Sequence, residues 1–171
     1  MLKKVSLVLF LAVVLRGLTV HEDELIIYPT GGFLTRQFGN KAGTPFEWVA
    51  DGEKAGKLRA VSGCFDTTLN SLKMDFEGWS SPYMGAEQGE FKEVVISADD
   101  PLKQIIIRGD TFHVYSLDFV TEGGWRGRIG QEQQGHDFEH IIEVDGKEIF
   151  GVYGSLIPYT GGINSIGFYL K

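Results

Sequence analysis

Three observations predict an all-β fold built from three similar sheets. Runs rich in Val, Ile, Leu, Phe and Tyr recur at roughly 8 to 12 residue spacings, the signature of a sandwich, barrel or prism. The 23 glycines are spread along the chain and supply turns between these runs. Finally, one loose pattern occurs three times: an apolar residue, any residue, Gly, a loop, then Ser followed by Leu or Ile. It reads Val61-Ser62-Gly63 with Ser71-Leu72, Ile107-Arg108-Gly109 with Ser116-Leu117, and Val152-Tyr153-Gly154 with Ser165-Ile166. Copies at intervals of roughly 45 residues imply three two-strand units around a pseudo-threefold axis. One such unit is marginal alone, whereas three apolar faces meeting at an axis cover one another.

The first 20 residues stand apart from this pattern. Lys3 and Lys4 precede an apolar run, Val5 to Leu15, and small residues follow at Gly17 to Val20. That order is a secretory signal peptide, since about 11 apolar residues fall short of the ~20 that span a bilayer. Residues 1–20 are therefore expected to be a signal peptide and 21–171 a single domain.

Within that domain the expected strands follow in order. Leu25 to Tyr28 ends at Pro29-Thr30-Gly31-Gly32; Phe33 to Phe38 and Pro45 to Val49 are separated by a Gly/Asn/Lys turn. Leu58 to Phe65, Ser71 to Phe76, Phe91 to Ser97, Leu102 to Ile107, Phe112 to Val120 and His136 to Val144 come next. Ile149 to Tyr153 and Ile163 to Leu170 close the chain around a loop rich in Gly, Pro and Ser.

Composition excludes several classes. A net charge of -7 disfavours nucleic acid, which rewards a basic face. Cys64 is the single cysteine, so there is no internal disulfide, and its apolar setting predicts a buried thiol. No Asn-x-Ser/Thr sequon occurs. After the leader nothing is apolar enough to span a membrane.

The domain resembles the jacalin-type lectins. The resemblance rests on Gly31-Gly32, Leu69-Asn70-Ser71-Leu72-Lys73-Met74-Asp75-Phe76, Ser81-Pro82-Tyr83-Met84-Gly85, Tyr115-Ser116-Leu117-Asp118-Phe119-Val120-Thr121, Ile149-Phe150-Gly151-Val152-Tyr153-Gly154-Ser155 and Ile163-Asn164-Ser165-Ile166-Gly167-Phe168-Tyr169-Leu170. It implies a β-prism I, three four-stranded Greek-key sheets, and a secreted animal-type member similar to the zymogen-granule lectins. It also implies a sugar site at one prism end, between an early Gly-Gly loop and a last loop of pattern Gly-x-x-x-Asp. Glycine lets backbone approach a ligand, and a carboxylate offers several acceptor sites to hydroxyls.

Carried over, the early loop is Gly31-Gly32 and the last loop is Thr160-Gly161-Gly162-Ile163-Asn164. Thr160 replaces the motif's glycine, Asn164 replaces its aspartate, and the loop is about three residues longer than in the plant proteins. Asp110, in the equivalent loop of the second repeat, borders the same site by the same resemblance. The expected ligand set is thus Gly31, Gly32, Asp110, Thr160, Gly161, Gly162, Ile163 and Asn164.

Other features carry competing readings. Arg108-Gly109-Asp110 is an integrin-type tripeptide whose glycine the repeat already explains. Trp79, Tyr83 and Trp125 offer stacking faces but fit better as covers of hairpins and core edges. His136 and His140 fall on one strand face, with no third ligand nearby to complete a metal site. No nucleophile elbow or phosphate loop occurs. The sequence therefore predicts a secreted, non-catalytic protein that binds glycans or glycoproteins of mannose or galactose type, without metal or cofactor. Weak single sites make homo-oligomerisation an expectation. The competing class is a matrix protein that uses the fold as an acidic scaffold.

Overall fold

The computed structural model describes residues 32–50, 56–132 and 135–171. The leader, the Leu25–Tyr28 run and Gly31 lie outside the described residues. Among those described there are thirteen strands and no helix, so no helix is long and apolar enough to cross a membrane.

The strands form three antiparallel sheets. In the first, β13 (Ile163–Leu170) and β12 (Ile149–Leu156) form the central hairpin, with β3 (Thr44–Val49) along β12. The other edge is one interrupted strand, β1 (Phe33–Leu34) and β2 (Phe38–Gly39), both paired to β13. The second sheet is β6 (Met84–Gly85), β5 (Ser71–Phe76), β4 (Leu58–Phe65) and β7 (Glu90–Val95) in that order. The third is β10 (Arg126–Gly130), β9 (Val114–Thr121), β8 (Leu102–Gly109) and β11 (Phe138–Glu143). Each sheet is thus a central hairpin with one flanking strand on either side, and the first and last of the described strands, β1 and β13, pair in the first.

The repeat seen in the sequence is the symmetry of this architecture. A Cβ on Gly63, Gly109 or Gly154 would run into the carbonyl oxygen of Ser71, His113 or Ser165 on the returning segment. Glycine at those points lets each hairpin close tightly. At the axis the sheets join through backbone: the Ile163 amide donates to the Leu69 carbonyl and the Leu69 amide to the Val114 carbonyl, both at 2.8 Å. Those three side chains are fully buried, and Leu72, Met74, Ile105, Ile107, Leu117, Phe119, Val152 and Ile166 fill the prism around them. Period-two alternation produces this: in β5, Leu72, Met74 and Phe76 point inward while Lys73 and Asp75 pair outside at 2.8 Å. Cys64 is free and buried, as its setting predicts.

Two strands fall outside the expected list. Met84–Gly85 is too short to carry a pattern, and Arg126–Gly130, with sequence RGRIG, has little β-propensity. Its pairing to β9 makes it a strand.

At the junction of the first and third sheets the Phe38 and His140 rings stack, with centroids 3.3 Å apart, and the Arg36 guanidinium lies over Phe38. Burial, with the Arg36 charge in support, holds the His140 imidazole below its ordinary range. The folded state therefore favours the neutral ring. Its contribution is complete above the unfolded value near 6.5 and is lost as pH falls toward the lower folded value. His140→Phe is expected to flatten the dependence of Tm on pH between about 7 and 5.

Candidate functional site

The backbone links at the axis fix which loops share an end. The hairpin turns after β4, β8 and β12 all precede Leu69, Val114 and Ile163, so they converge on one end of the prism. The β2–β3 loop, Asn40 to Gly43, joins them because Phe38 and Gly39 pair with Ile166 and Ser165 at the start of β13.

Asn164 lies where that loop meets the last hairpin. Its carbonyl accepts the Asn40 amide at 3.1 Å, and its side-chain Nδ2 donates to the Ala42 carbonyl. It is only 5% exposed. The symmetry explains this role: in the second sheet Asn70 Nδ2 donates to the Gln88 carbonyl at 3.0 Å. Each asparagine is a strut holding a neighbouring loop against the hairpin. Gly39, Gly85 and Gly130, with φ of 97, 104 and 98°, occupy equivalent positions at the ends of β2, β6 and β10.

The other residues expected here divide. Ile163 is wholly buried in the core and Gly162 is buried beneath the loop. The Gly161 amide is spent on the Ile157 carbonyl at 3.0 Å, while its own carbonyl accepts the Ala86 amide at 3.1 Å. Thr160 is exposed. Gly32 is not at this end. It sits against the Phe150 ring and the Leu170 carbonyl, where β1 meets the far end of β13, so the early loop beside Asn164 is Asn40–Gly43.

Asp110 is at the expected end, but its carboxylate is committed locally. It accepts the Phe112 and His113 amides, each at 2.7 Å, and the Tyr115 hydroxyl. Burial alone would raise its pKa, yet the Tyr115 and backbone donors hold it below the usual range. Tyr115 is pushed up to about 12, chiefly by that bond to Asp110. Arg108 is 12% exposed and paired with Asp118 at 2.6 Å and Glu139 at 2.8 Å. An integrin-type reading of Arg108-Gly109-Asp110 thus finds both charged groups already engaged.

Two aromatics present themselves at this end without having been expected as a pair. Tyr159, at the tip of the last loop, is fully exposed on a left-handed backbone with φ 72°. Phe112, at the tip of the second-repeat loop, is 59% exposed. Trp79 and Trp125, half exposed, follow the outgoing ends of β5 and β9 and so lie at the opposite end. Tyr83 faces the Lys73 ammonium, 6.0 Å from its ring centre. No group of three His, Cys, Asp or Glu side chains among the described residues is placed to hold a metal ion.

The profile of the Jacalin-like lectin domain family matches residues 35–169. A search of curated proteins returns no match. Among solved structures, the wild-type Malaysian banana lectin superposes with a TM-score of 0.64 at 17% identity, covering 82% of this chain and 99% of that one. A mannose-binding jacalin-related lectin from Ananas comosus gives 0.63 at 18% identity, covering 80% and 95%. Lamprey immune protein gives 0.67 at 20% identity over 84% of this chain and 45% of that chain. These structures share the three-sheet prism, and with the profile spanning the described sheets almost end to end, the chain belongs to the jacalin-like lectin domain family.

Proposed function

We propose that this protein is a secreted, non-catalytic lectin that binds glycans at the prism end formed by Asn40–Gly43 and Tyr159–Asn164. One observation carries the reading: Asn164 ties the two loops together and leaves Tyr159 fully exposed above them. Loop amides and carbonyls supply directional contacts, and an aromatic face packs on the C–H side of a pyranose. Asp110 and Phe112 border the same end, and residues 1–20 act as the secretory leader under this reading. The mannose-binding relative makes methyl α-mannoside the first probe and methyl α-galactoside the second.

A scaffold role without sugar binding draws support from the burial of Asn164, whose amide is spent on Ala42 rather than displayed. A glycan array separates the two, followed by calorimetric titration. Tyr159→Ala is expected to weaken binding about fivefold, the loss of roughly 1 kcal/mol of aromatic contact, with Tm unchanged. If no carbohydrate binds the protein and Asn164→Asp restores none, the lectin reading is to be dropped.

A further inference from the structure

We propose that the end of the prism opposite the candidate glycan loops binds a small amphipathic carboxylate, an aromatic or branched-chain acid. Its apolar body enters a cavity where the three sheets meet, and its charge stays at the rim. The cavity holds about 150 Å³. Leu58, Leu102 and Ile149 line it, and they are the first residues of β4, β8 and β12. They recur at the repeat interval of roughly 45 residues, so each sheet contributes the same position. This site stands or falls apart from the glycan reading.

The pseudo-threefold symmetry shows why a cavity forms here. At the near end, backbone links through Leu69, Val114 and Ile163 draw the sheets together. At the far end three equivalent bonds each stay within one sheet. The Ile96 amide donates to the Arg59 carbonyl at 2.8 Å, Val144 to Lys103 at 2.7 Å, and Ala50 to Phe150 at 2.8 Å. Ile96 and Val144 line the cavity, whereas the first sheet has only the Ala50 methyl at the matching position, so the ring of branched side chains is one short. Leu102, Ile96 and Ile149 keep 8, 6 and 4% exposure, while Ile105 and Ile107, further along the prism, keep none. That residual exposure is the cavity floor. An apolar cavity of about this size takes one benzene ring, so a single ring or one branched alkyl group fits.

The rim supplies the charge. Lys57, Arg59 and Lys147 line the mouth against one acid, Glu148, whose carboxylate already faces the Lys171 ammonium at 3.4 Å. Arg59 is held by Glu77 at 2.7 Å. The exposed Lys57 ammonium has no ion pair recorded among the described residues, and it is the group that meets an anion. On a protein of net charge -7, a mouth with more cations than acids selects a negative ligand. One ammonium matches one carboxylate, at the strength of a charge-assisted hydrogen bond. Exposed Ala98 and Pro101 carry the apolar wall out to the mouth, so body and charge meet their partners together. An apolar body with a single negative head is the chemistry these two halves share, and neither a neutral sugar nor an inorganic anion has both.

The test titrates phenylacetate and 3-methylbutanoate into the protein, each beside its uncharged amide of the same shape, and follows methyl and backbone NMR shifts. For at least one acid, saturable shifts are expected at Leu58, Ile96, Leu102 and Ile149, with affinity about tenfold above that of its amide. Lys57→Gln should lower the acid to the affinity of its amide and leave the amide unchanged, which also certifies that the cavity is intact. Absence of saturable binding, shifts at other residues, equal affinity for acid and amide, or a gain untouched by Lys57→Gln overturns the proposal. Binding that emerges only when Ile26 and Ile27 are both changed to Ser assigns the cavity to the chain's own leading segment. Binding that emerges only on dilution assigns it to a second copy. Either result overturns the small acid as its ligand.

Discussion

Asp118→Asn is expected to cost about 3 kcal/mol or more of folding stability, the range for removing one partner of a buried ion pair. Asp118 is fully buried, with Arg108 Nη1 at 2.6 Å, Arg128 Nη2 at 3.0 Å and Arg128 Nε on its other oxygen. Arg126 adds a longer contact at 3.8 Å. Arg108 also reaches Glu139 and Arg128 reaches Glu132, so one network crosses all four strands of the third sheet and continues just beyond β10. That network is what holds the RGRIG sequence of β10 in the sheet. An amide at 118 leaves guanidinium groups half satisfied in a place where water reaches poorly. For a domain of this size the loss corresponds to a Tm lower by roughly 6 to 12 °C, read by thermal unfolding. Burial alone would raise the Asp118 pKa, but hydrogen bonds from Arg128 and Arg108 hold it below the usual range. Its stabilisation is therefore complete above the unfolded value near 3.9 and lost as pH falls through the lower folded value. The variant should show a flatter acid limb than the wild type. A loss under about 1 kcal/mol would mean that Glu132 and Glu139 suffice for the arginines.

Gly154→Ala is expected to cost a similar amount, about 3 kcal/mol, through overpacking. The added methyl would collide with the Ser165 carbonyl and come within 2.7 Å of the Phe46 ring, and both are fixed. Strand β12 is hydrogen-bonded on both sides, to β13 and β3, so it has no free edge toward which to shift. Gly63→Ala meets the equivalent Ser71 carbonyl and should destabilise comparably. The two variants part at the site. Displacing β12 from β13 disturbs Ser155, the Tyr159 loop and Asn164, so Gly154→Ala should also weaken glycan binding, while the Gly63 variant should not. Equal binding losses would place the ligand away from the last hairpin.

Much of the fold was legible because backbone geometry enforces it. Gly63, Gly109 and Gly154 recur where no Cβ fits, and the bounds of β4, β5 and β13 agree with their β-type runs. Strands β6 and β10 were not legible, since pairing and the Asp118 network, rather than propensity, create them. The expected Phe33–Phe38 strand is interrupted because it is an edge that touches β13 twice.

Which glycine-bearing turn lies beside Asn164 was not legible, because Gly31-Gly32 and Asn40–Gly43 read alike in the sequence, whereas the structure sets Asn40–Gly43 there and Gly32 against Phe150. A signal was available: Gly39, Gly85 and Gly130 repeat at the same interval of roughly 45 residues as the hairpin glycines. That second register marks the loop against Asn164 as one of three equivalent loops. The strut role of Asn164 and the left-handed backbone that lifts Tyr159 depend on contacts and dihedrals that sequence pattern does not encode.

The central claim is that Asn40–Gly43 and the Tyr159 loop form the glycan site. The most direct measurement follows backbone amide NMR shifts while methyl α-mannoside and methyl α-galactoside are titrated into the protein. The account predicts saturable shifts concentrated at Asn40–Gly43 and Tyr159–Gly162 for at least one of the two sugars. Shifts confined to the opposite end, around Trp79 and Trp125, or none with either sugar, would contradict it.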